Sequence, residues 1–414
     1  MSPQTERRLC CASREPAQNF RQYIDTAAGS GKYTPMTLEQ HWNSDHMRSV
    51  RRRMLAGEIL PECDVCNSKL LNTSVYRDYF GHLFGHKLDE VYDSTDATGA
   101  TTMRPVSWDY RFSNLCNFKC RMCGDMLSSA WETEQKTHHM VNWADPKNNW
   151  QLPEVRQQIS QFQDTQIETE FAEAVEQHRV EEVYWVGGEP LMYEQHWRYM
   201  QRIIELGDGG RVYARYNTNL SRVDFRGVNL YRDILDHVRD WQICASIDGT
   251  GAIGEYIRTG LDYDQFRRNF EQGLNHQRNR RQMRLDFTLT LPGMFEVLNI
   301  QSLAQEYGVE LLAKVVFSFS PDIVLSPLAL PQELLHRRLD QLIADSTTGV
   351  MRELLIQLKN RPTFEQQWPD TYQAALSRGK ARVLQLEHIR QDTYTMSDIL
   401  SQDKEIHDWW KSIA

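Results

Sequence analysis

From residue 105 to about 320, short apolar runs alternate with longer stretches whose apolar positions recur every three or four residues. The runs 106–112, 181–186, 211–217, 241–247, 283–290 and 310–317 are rich in β-branched and aromatic residues and predict strands. The stretches 191–206, 229–239, 262–278 and 297–307 predict helices between them. Six strands alternating with helices imply a parallel sheet, because parallel neighbours need a crossover and a helix is the usual one. One connection is abnormal. Residues 124–180 separate the first two strands by far more than an ordinary loop. Helical stretches near 127–139 and 154–178 predict an insertion lying over the sheet.

The flanks read differently. Residues 1–100 carry cysteines and arginines with short helical signals. Ser44 can N-cap a helix running through Met47, Val50 and Met54, which stops at Gly57. Glu58 to Cys66 then reads as a loop bearing Cys-x-x-Cys, and 93–104, rich in Ser, Thr, Asp and Gly, reads as a linker. Residues 330–414 predict helices with short connections, ending in Trp409-Trp410. The expected organisation is an N-terminal unit (1–100), a core (105–320) with the insertion 124–180, and a C-terminal helical region (330–414).

Composition narrows the class. The 414 residues are 40% hydrophobic and 25% charged, which suits a globular chain and excludes collagen-like, coiled-coil and wholly disordered readings. No apolar run exceeds four residues, so no membrane span is expected. The first eight residues have no apolar stretch behind their charges and do not read as a secretory signal, so the expected compartment is the cytoplasm. The balance of 47 basic and 56 acidic residues, formally −9, argues against a large non-specific nucleic-acid binder. A local basic patch stays open. The runs Arg48, Arg51, Arg52, Arg53 and Arg278, Arg280, Arg281, Arg284 read as solvated faces. Neither is interleaved with the aromatics of a single-strand binder.

Of eight cysteines, seven fall in three tight groups: Cys10 with Cys11, Cys63 with Cys66, and Cys116, Cys120 and Cys123. Such clustering points to metal or redox chemistry, not a disulfide framework. Cys244, inside the apolar stretch 241–247, reads as a small buried hydrophobe. The loop after the first strand runs Cys116-Asn117-Phe118-Lys119-Cys120-Arg121-Met122-Cys123. Three thiolates so close can hold a cubane iron–sulfur cluster, which normally takes four protein ligands; three leave one iron open to a small molecule. The alternative is zinc, completed by His138 or His139, although zinc motifs usually come as paired knuckles. The second strand runs into Gly187-Gly188-Glu189-Pro190. The glycines let backbone approach a ligand, Glu189 can accept from a ligand ammonium, and Pro190 would open the next helix.

These two motifs together resemble the radical S-adenosylmethionine superfamily. Cys116, Cys120 and Cys123 match its Cys-x₃-Cys-x₂-Cys motif, and 187–189 its Gly-Gly-Glu. Met122 stands where the family usually has an aromatic; it is still apolar and able to shield a cluster. Tyr216-Asn217-Thr218-Asn219 resembles the family's third strand end. Ala245-Ser246-Ile247-Asp248-Gly249, followed by Arg258, is similar to the Ser-x-Asp-Gly…Arg pattern of the SPASM/twitch branch. The resemblance implies an α/β fold, a partial (β/α)₆ TIM-like barrel with ligands at the C-terminal strand ends. It implies a [4Fe-4S] cluster on the three core cysteines and S-adenosylmethionine on the open iron. Gly187, Gly188 and Glu189 would hold the ammonium, Ser246 and Arg258 the carboxylate, and Asn217 and Asn219 the ribose. Reduction of the cluster, by a flavodoxin- or ferredoxin-type donor, would cleave S-adenosylmethionine to a 5′-deoxyadenosyl radical that abstracts hydrogen. Family members modify peptides or proteins more often than small molecules.

The N-terminal groups are similar to members with a twitch domain placed before the core. There a Cys-Cys pair and a Cys-x-x-Cys accompany a helix ending in Met-Leu-x-Gly-Glu, as at 54–58 here. This implies an auxiliary iron–sulfur cluster on some of Cys10, Cys11, Cys63 and Cys66; a zinc knuckle is the alternative. Two other functions stay open: a nucleic-acid-modifying radical enzyme with the arginines as its footprint, and a zinc-stabilised interaction protein without catalysis. No acid–base residue and no particular substrate emerges from the sequence.

Overall fold

The computed structural model describes residues 1–10, 13, 22–68, 75–346 and 349–414. Six strands build the main sheet: β1 (Ser107–Trp108), β2 (Glu182–Trp185), β3 (Tyr213–Thr218), β6 (Asp240–Ser246), β7 (Met283–Leu289) and β8 (Glu310–Val315). Their order is β1-β2-β3-β6-β7-β8, every pair is parallel, and β1 and β8 form its two edges. All six lie where the apolar runs predict them, in an arrangement compatible with a partial barrel. A hairpin, β4 (Asp224–Phe225) with β5 (Val228–Asn229), was not anticipated. It turns on Arg226 and Gly227, both at positive φ (50° and 87°), the pairing that a type I′ turn requires.

The first strand is shorter than expected because residues 109–112 are held by side chains instead of a ladder. Tyr110 Oη donates to Glu170 (2.8 Å), and the Phe112 ring sits 5.7 Å from Phe171. In β3 alternate positions are buried: Ala214, Tyr216 and Thr218 lie in the core, while Tyr213, Arg215 and Asn217 are half-buried. β6 and β7 add Trp241, Ile243, Ala245, Leu285 and Phe287 to the core. One face of the sheet is therefore closed by helices, and the other carries polar groups and floors a cavity.

Helices Glu194–Glu205, Tyr263–His276 and Val297–Tyr307 match expectation. The last stops at Gly308, at φ +64°, a left-handed cap that glycine adopts without cost. Residues 229–239 do not form the expected α-helix. They make a π turn (Leu230–Ile234) and a 3₁₀ turn (Leu235–His237), with Asn229 Oδ1 accepting from both Tyr231 N (3.0 Å) and Arg232 N (3.1 Å). The long connection is also partly reassigned. Its last helix, Glu168–Glu176, is the crossover from β1 to β2, since Phe171 packs on Trp108, Phe112 and Trp185. Only 124–167 is extra.

The stretch 93–104 is no slack linker. Asn43 Nδ2 donates to Thr101 O (3.0 Å), Thr101 N donates to Asn43 Oδ1 (3.0 Å), and Arg51 Nη1 donates to Gly99 O (3.2 Å). Gly99 sits at φ +80°, and a Cβ there would lie 2.2 Å from Arg48 O. The segment is thereby tied to the helix Asp45–Leu55, which Ser44 caps as expected through Met47 N (3.3 Å). Deeper still, the buried Arg7 guanidinium makes two bonds to Glu170 (2.9 and 2.8 Å) and one to Tyr110 Oη (3.0 Å). The C-terminal region is helical, from Gln332–Asp345 to Lys404–Ser412. Among the described residues no helix is long and apolar enough to cross a membrane.

Candidate functional site

The loops that leave the C-terminal ends of β1, β2, β3 and β6 meet at one place. The Cys116–Cys123 loop is held by backbone bonds: Lys119 N donates to Thr259 O (2.8 Å) and Arg121 N to Ile257 O (2.8 Å). Gly260, at φ +112°, permits this approach, because a Cβ would lie 2.9 Å from the Phe118 ring. Glu189 N donates to Leu115 O (2.7 Å), so the Gly-Gly-Glu loop packs on the cysteine loop from the other side. Gly188 serves that packing: a Cβ there would come within 2.2 Å of Leu115 O. On its Cβ side, the close neighbour of Gly188 is therefore backbone. Gly187 is also crowded, against Tyr193 Oη, at 2.4 Å from a built Cβ.

Cys120 is buried, and Cys116 and Cys123 are half-buried. Burial raises the pKa of all three thiols, that of Cys120 to about 12, and the negative charge of the other groups raises Cys116 further. Arg258 opposes this. Its Nη1 lies 3.9 Å from Cys120 Sγ, and its Nε makes a 2.6 Å ion pair with buried Asp248. Burial works against the Arg258 charge, but Asp248 and Cys120 outweigh it and raise its pKa. Met122 is half-buried against the main core. Among the described residues no three His, Cys, Asp or Glu side chains converge as they would around a single metal ion. A four-iron cube spaces its thiolates at separate corners, so it asks for a looser gathering than one ion does. His138, the zinc alternative, lines a side pocket of about 370 Å³ together with Cys116.

Glu189 is buried and already bonded. Its Oε1 accepts from Leu191 N (3.1 Å) and Thr218 Oγ1 (2.6 Å), and its Oε2 from Asn219 N (2.7 Å). Desolvation raises its pKa to about 7 despite these donors. A carboxylate has about four lone-pair sites, so one remains on Oε2. Asn219 also donates to Asn117 Oδ1 (3.1 Å), linking β3 to the cysteine loop. Asn217 stands on the polar face of the sheet: it accepts from Tyr184 Oη (2.9 Å) and donates to Asp286 Oδ2 (2.9 Å), which also takes Lys314 Nζ (2.7 Å). Ser246 is half-buried at the end of β6, in register with Asp286.

The sequence reading missed the clamp behind the cysteine loop. Arg121 lies 3.8 Å over the Tyr256 ring and pairs with Asp392, and Tyr256 Oη donates to Glu387 (2.7 Å). Arg390 pairs with Glu134 (2.8 Å) and donates to Thr259 Oγ1 (3.1 Å). These partners lie far apart in the chain, and no local pattern marks them. The N-terminal cysteines lie on two segments. Cys10 lines the large cavity over the sheet, Cys63 precedes the short helix Asp64–Asn67, and Cys66 is buried within it. Cys11 lies outside the described residues.

Comparison by sequence gives no match to any family model and none to a curated protein. Among solved structures, a chain in "Structure of TYW1 with a lysine-pyruvate adduct bound" is a distant neighbour, with a TM-score of 0.31 and 15% identity over 58% of this chain and 71% of that one.

Proposed function

We propose that this chain is a radical S-adenosylmethionine enzyme acting on a peptide or protein, with its cofactors at the C-terminal ends of β1, β2, β3 and β6. The observation that carries the reading is the seating of a three-thiol loop between the Gly-Gly-Glu loop and the Arg258 loop, through the bonds to Leu115, Thr259 and Ile257. The donor set fits an iron–sulfur cluster. Buried thiols with raised pKa stay protonated unless a cation offsets the burial, and coordinated iron is such a cation. Cys116, Cys120 and Cys123 would hold a [4Fe-4S] cluster. With S-adenosylmethionine bound, such a cluster would supply reductive cleavage to a 5′-deoxyadenosyl radical, given an electron from a flavodoxin- or ferredoxin-type donor.

The chain's own residues bind, orient and shield. Arg258, steadied by Asp248, presents positive charge to Cys120 and would balance an anionic centre. Glu189 has one acceptor site left for an ammonium group, while its other bonds lock the β2 loop to the end of β3. Asn219 fixes the cysteine loop through Asn117. Ser246 and Asn217 lie toward the polar face, where carboxylate and ribose hydroxyls would find donors and acceptors. Met122 and the Arg121–Tyr256 stack close the loop from the core side and exclude water. Cys10, Cys11, Cys63 and Cys66 would supply the ligands of an auxiliary iron–sulfur cluster, and no step is assigned to them.

The test is anaerobic reconstitution of the full chain, with iron, sulfide and zinc analysis and an assay for 5′-deoxyadenosine under strong reductant. About four irons on the core loop and measurable 5′-deoxyadenosine are expected. Zinc in place of iron, with no 5′-deoxyadenosine, would overturn the reading in favour of a zinc-stabilised protein.

A further inference from the structure

A cavity of about 1700 Å³ runs along the polar face of the sheet. It reaches from Arg111 and Asn217, beside the candidate site, to the residues just before β6 and β7. Its walls carry ten arginines, five carboxylates and no lysine, in a chain whose formal charge is −9. Within it, arginines are matched by carboxylates: Arg215 pairs with Glu182 (2.5 Å), Arg284 with Glu310 (2.9 Å) and Arg8 with Glu6 (2.7 Å).

The rim before β6 and β7 is not matched. Arg239, Arg278, Arg280 and Arg281 are exposed, and none forms an ion pair among the described residues. Arg278 donates to a carbonyl, Val238 O (3.1 Å). Asp240, the carboxylate next to Arg239, accepts at Oδ1 from Trp241 N (2.8 Å) and Gln282 Nε2 (2.7 Å) and makes no ion pair with Arg239. Four guanidinium groups on one rim repel one another, and an anion relieves that repulsion. Guanidinium forks match carboxylates in bidentate fashion.

The cavity exceeds the roughly 300–1000 Å³ of ordinary small-molecule pockets, so it has room for a chain segment. A nucleic acid carries charge on every unit and needs a basic stripe beyond the rim; the rest of this protein is net acidic. A peptide can confine its acidic residues to a short stretch. We propose that the arginine rim docks an acidic segment of a peptide substrate, whose remaining residues enter the cavity toward Asn217. This rests on the peptide-substrate reading above and names its charge.

Fluorescence anisotropy on the full chain tests it, with a labelled peptide of alternating Glu and Ser, its Gln-Ser counterpart, and a single-stranded oligonucleotide of equal charge. The binding measurement does not depend on iron, so it can succeed or fail independently of the cluster reading. The Glu-Ser peptide should bind, weaken with added salt, and lose ~10-fold in affinity when Arg280→Gln and Arg281→Gln are combined. Arg352→Gln with Arg361→Gln, on exposed positions of the C-terminal region, should leave affinity unchanged. No binding to the wild type, equal binding of the Gln-Ser peptide, or equal affinity in the rim variant would overturn the proposal. An oligonucleotide that binds more tightly than the Glu-Ser peptide would overturn it in favour of a nucleic-acid surface.

Discussion

The two cysteine-bearing regions carry similar motif density but differ in what surrounds the thiols. Cys116, Cys120 and Cys123 sit on one loop braced by three others, with Arg258 3.9 Å from a sulfur and Arg121 and Arg390 tying the loop and its neighbours to the C-terminal helices. Cys63 and Cys66 occupy a short helical step beside the Arg53–Glu62 pair (3.2 Å), and Cys10 faces the cavity. Spacing alone did not separate these cases. The core loop draws its long-range partners from three strand-end loops and the C-terminal helices, and these partners hold its thiols from several directions.

The largest expected effect tests this contrast directly. Cys116→Ala, Cys120→Ala or Cys123→Ala should each abolish 5′-deoxyadenosine formation and strip the core iron, because a methyl group cannot replace a thiolate ligand. Cys63→Ala combined with Cys66→Ala should leave about four irons on the core loop. Loss of core iron in that double variant would erase the distinction between the regions; total iron falling by about half from a higher wild-type content would instead assign the N-terminal thiols an auxiliary cluster.

Next in size is the joint between the N-terminal segment and the sheet. Arg7→Ala leaves Glu170 buried without its cation and should cost about 3–5 kcal/mol, read as a lowered denaturation midpoint. A change under about 1 kcal/mol would mean that the N-terminal segment is a dispensable cover. Gly188→Ala should cost about 3 kcal/mol, since its Cβ would lie 2.2 Å from Leu115 O and backbone must move. Gly29→Ala has open space but a φ of +71°, so it should cost less, about 1 kcal/mol. Equal losses in urea titrations would undo the claim that Gly188 is a packing contact.

More gradual in its onset is a pair of opposite pH slopes in the metal-free protein. Burial lifts Glu189 from 4.5 to about 7, so the folded chain holds that proton more tightly and loses stability as pH rises through this window. Burial lowers His41 from 6.5 to about 4, so stability is full above 6.5 and is lost as pH falls toward 4. Each slope amounts to about 3 kcal/mol over its window. Glu189→Gln should flatten the first and His41→Gln the second in thermal melts across pH. If either variant kept the wild-type slope, another group would own it.

Much of this was legible in the chain. The six strands of the sheet follow from apolar runs of the right length, because parallel strands bury one face under crossover helices and demand such residues. The three-cysteine loop and Gly-Gly-Glu at consecutive strand ends are local spacings, and a local spacing survives into the fold. Ser44 likewise capped its helix as the sequence predicted, since capping needs only three neighbouring residues.

What the sequence could not decide depends on pairs distant in the chain. Residues 93–104 look like a linker by composition, yet Asn43 and Arg51 hold them down. The helical pattern at 229–239 gave way to π and 3₁₀ turns once Asn229 capped two amides. The close packing of Gly188 on Leu115 backbone joins two loops that are distant in the chain. Arg278, Arg280 and Arg281 looked like an ordinary solvated run; the fold sets them beside Arg239 on the rim of one cavity. Local chemistry determined which residues can act, and tertiary packing decided what each one faces, because burial and charge pairing are properties of neighbours in space and not of neighbours in sequence.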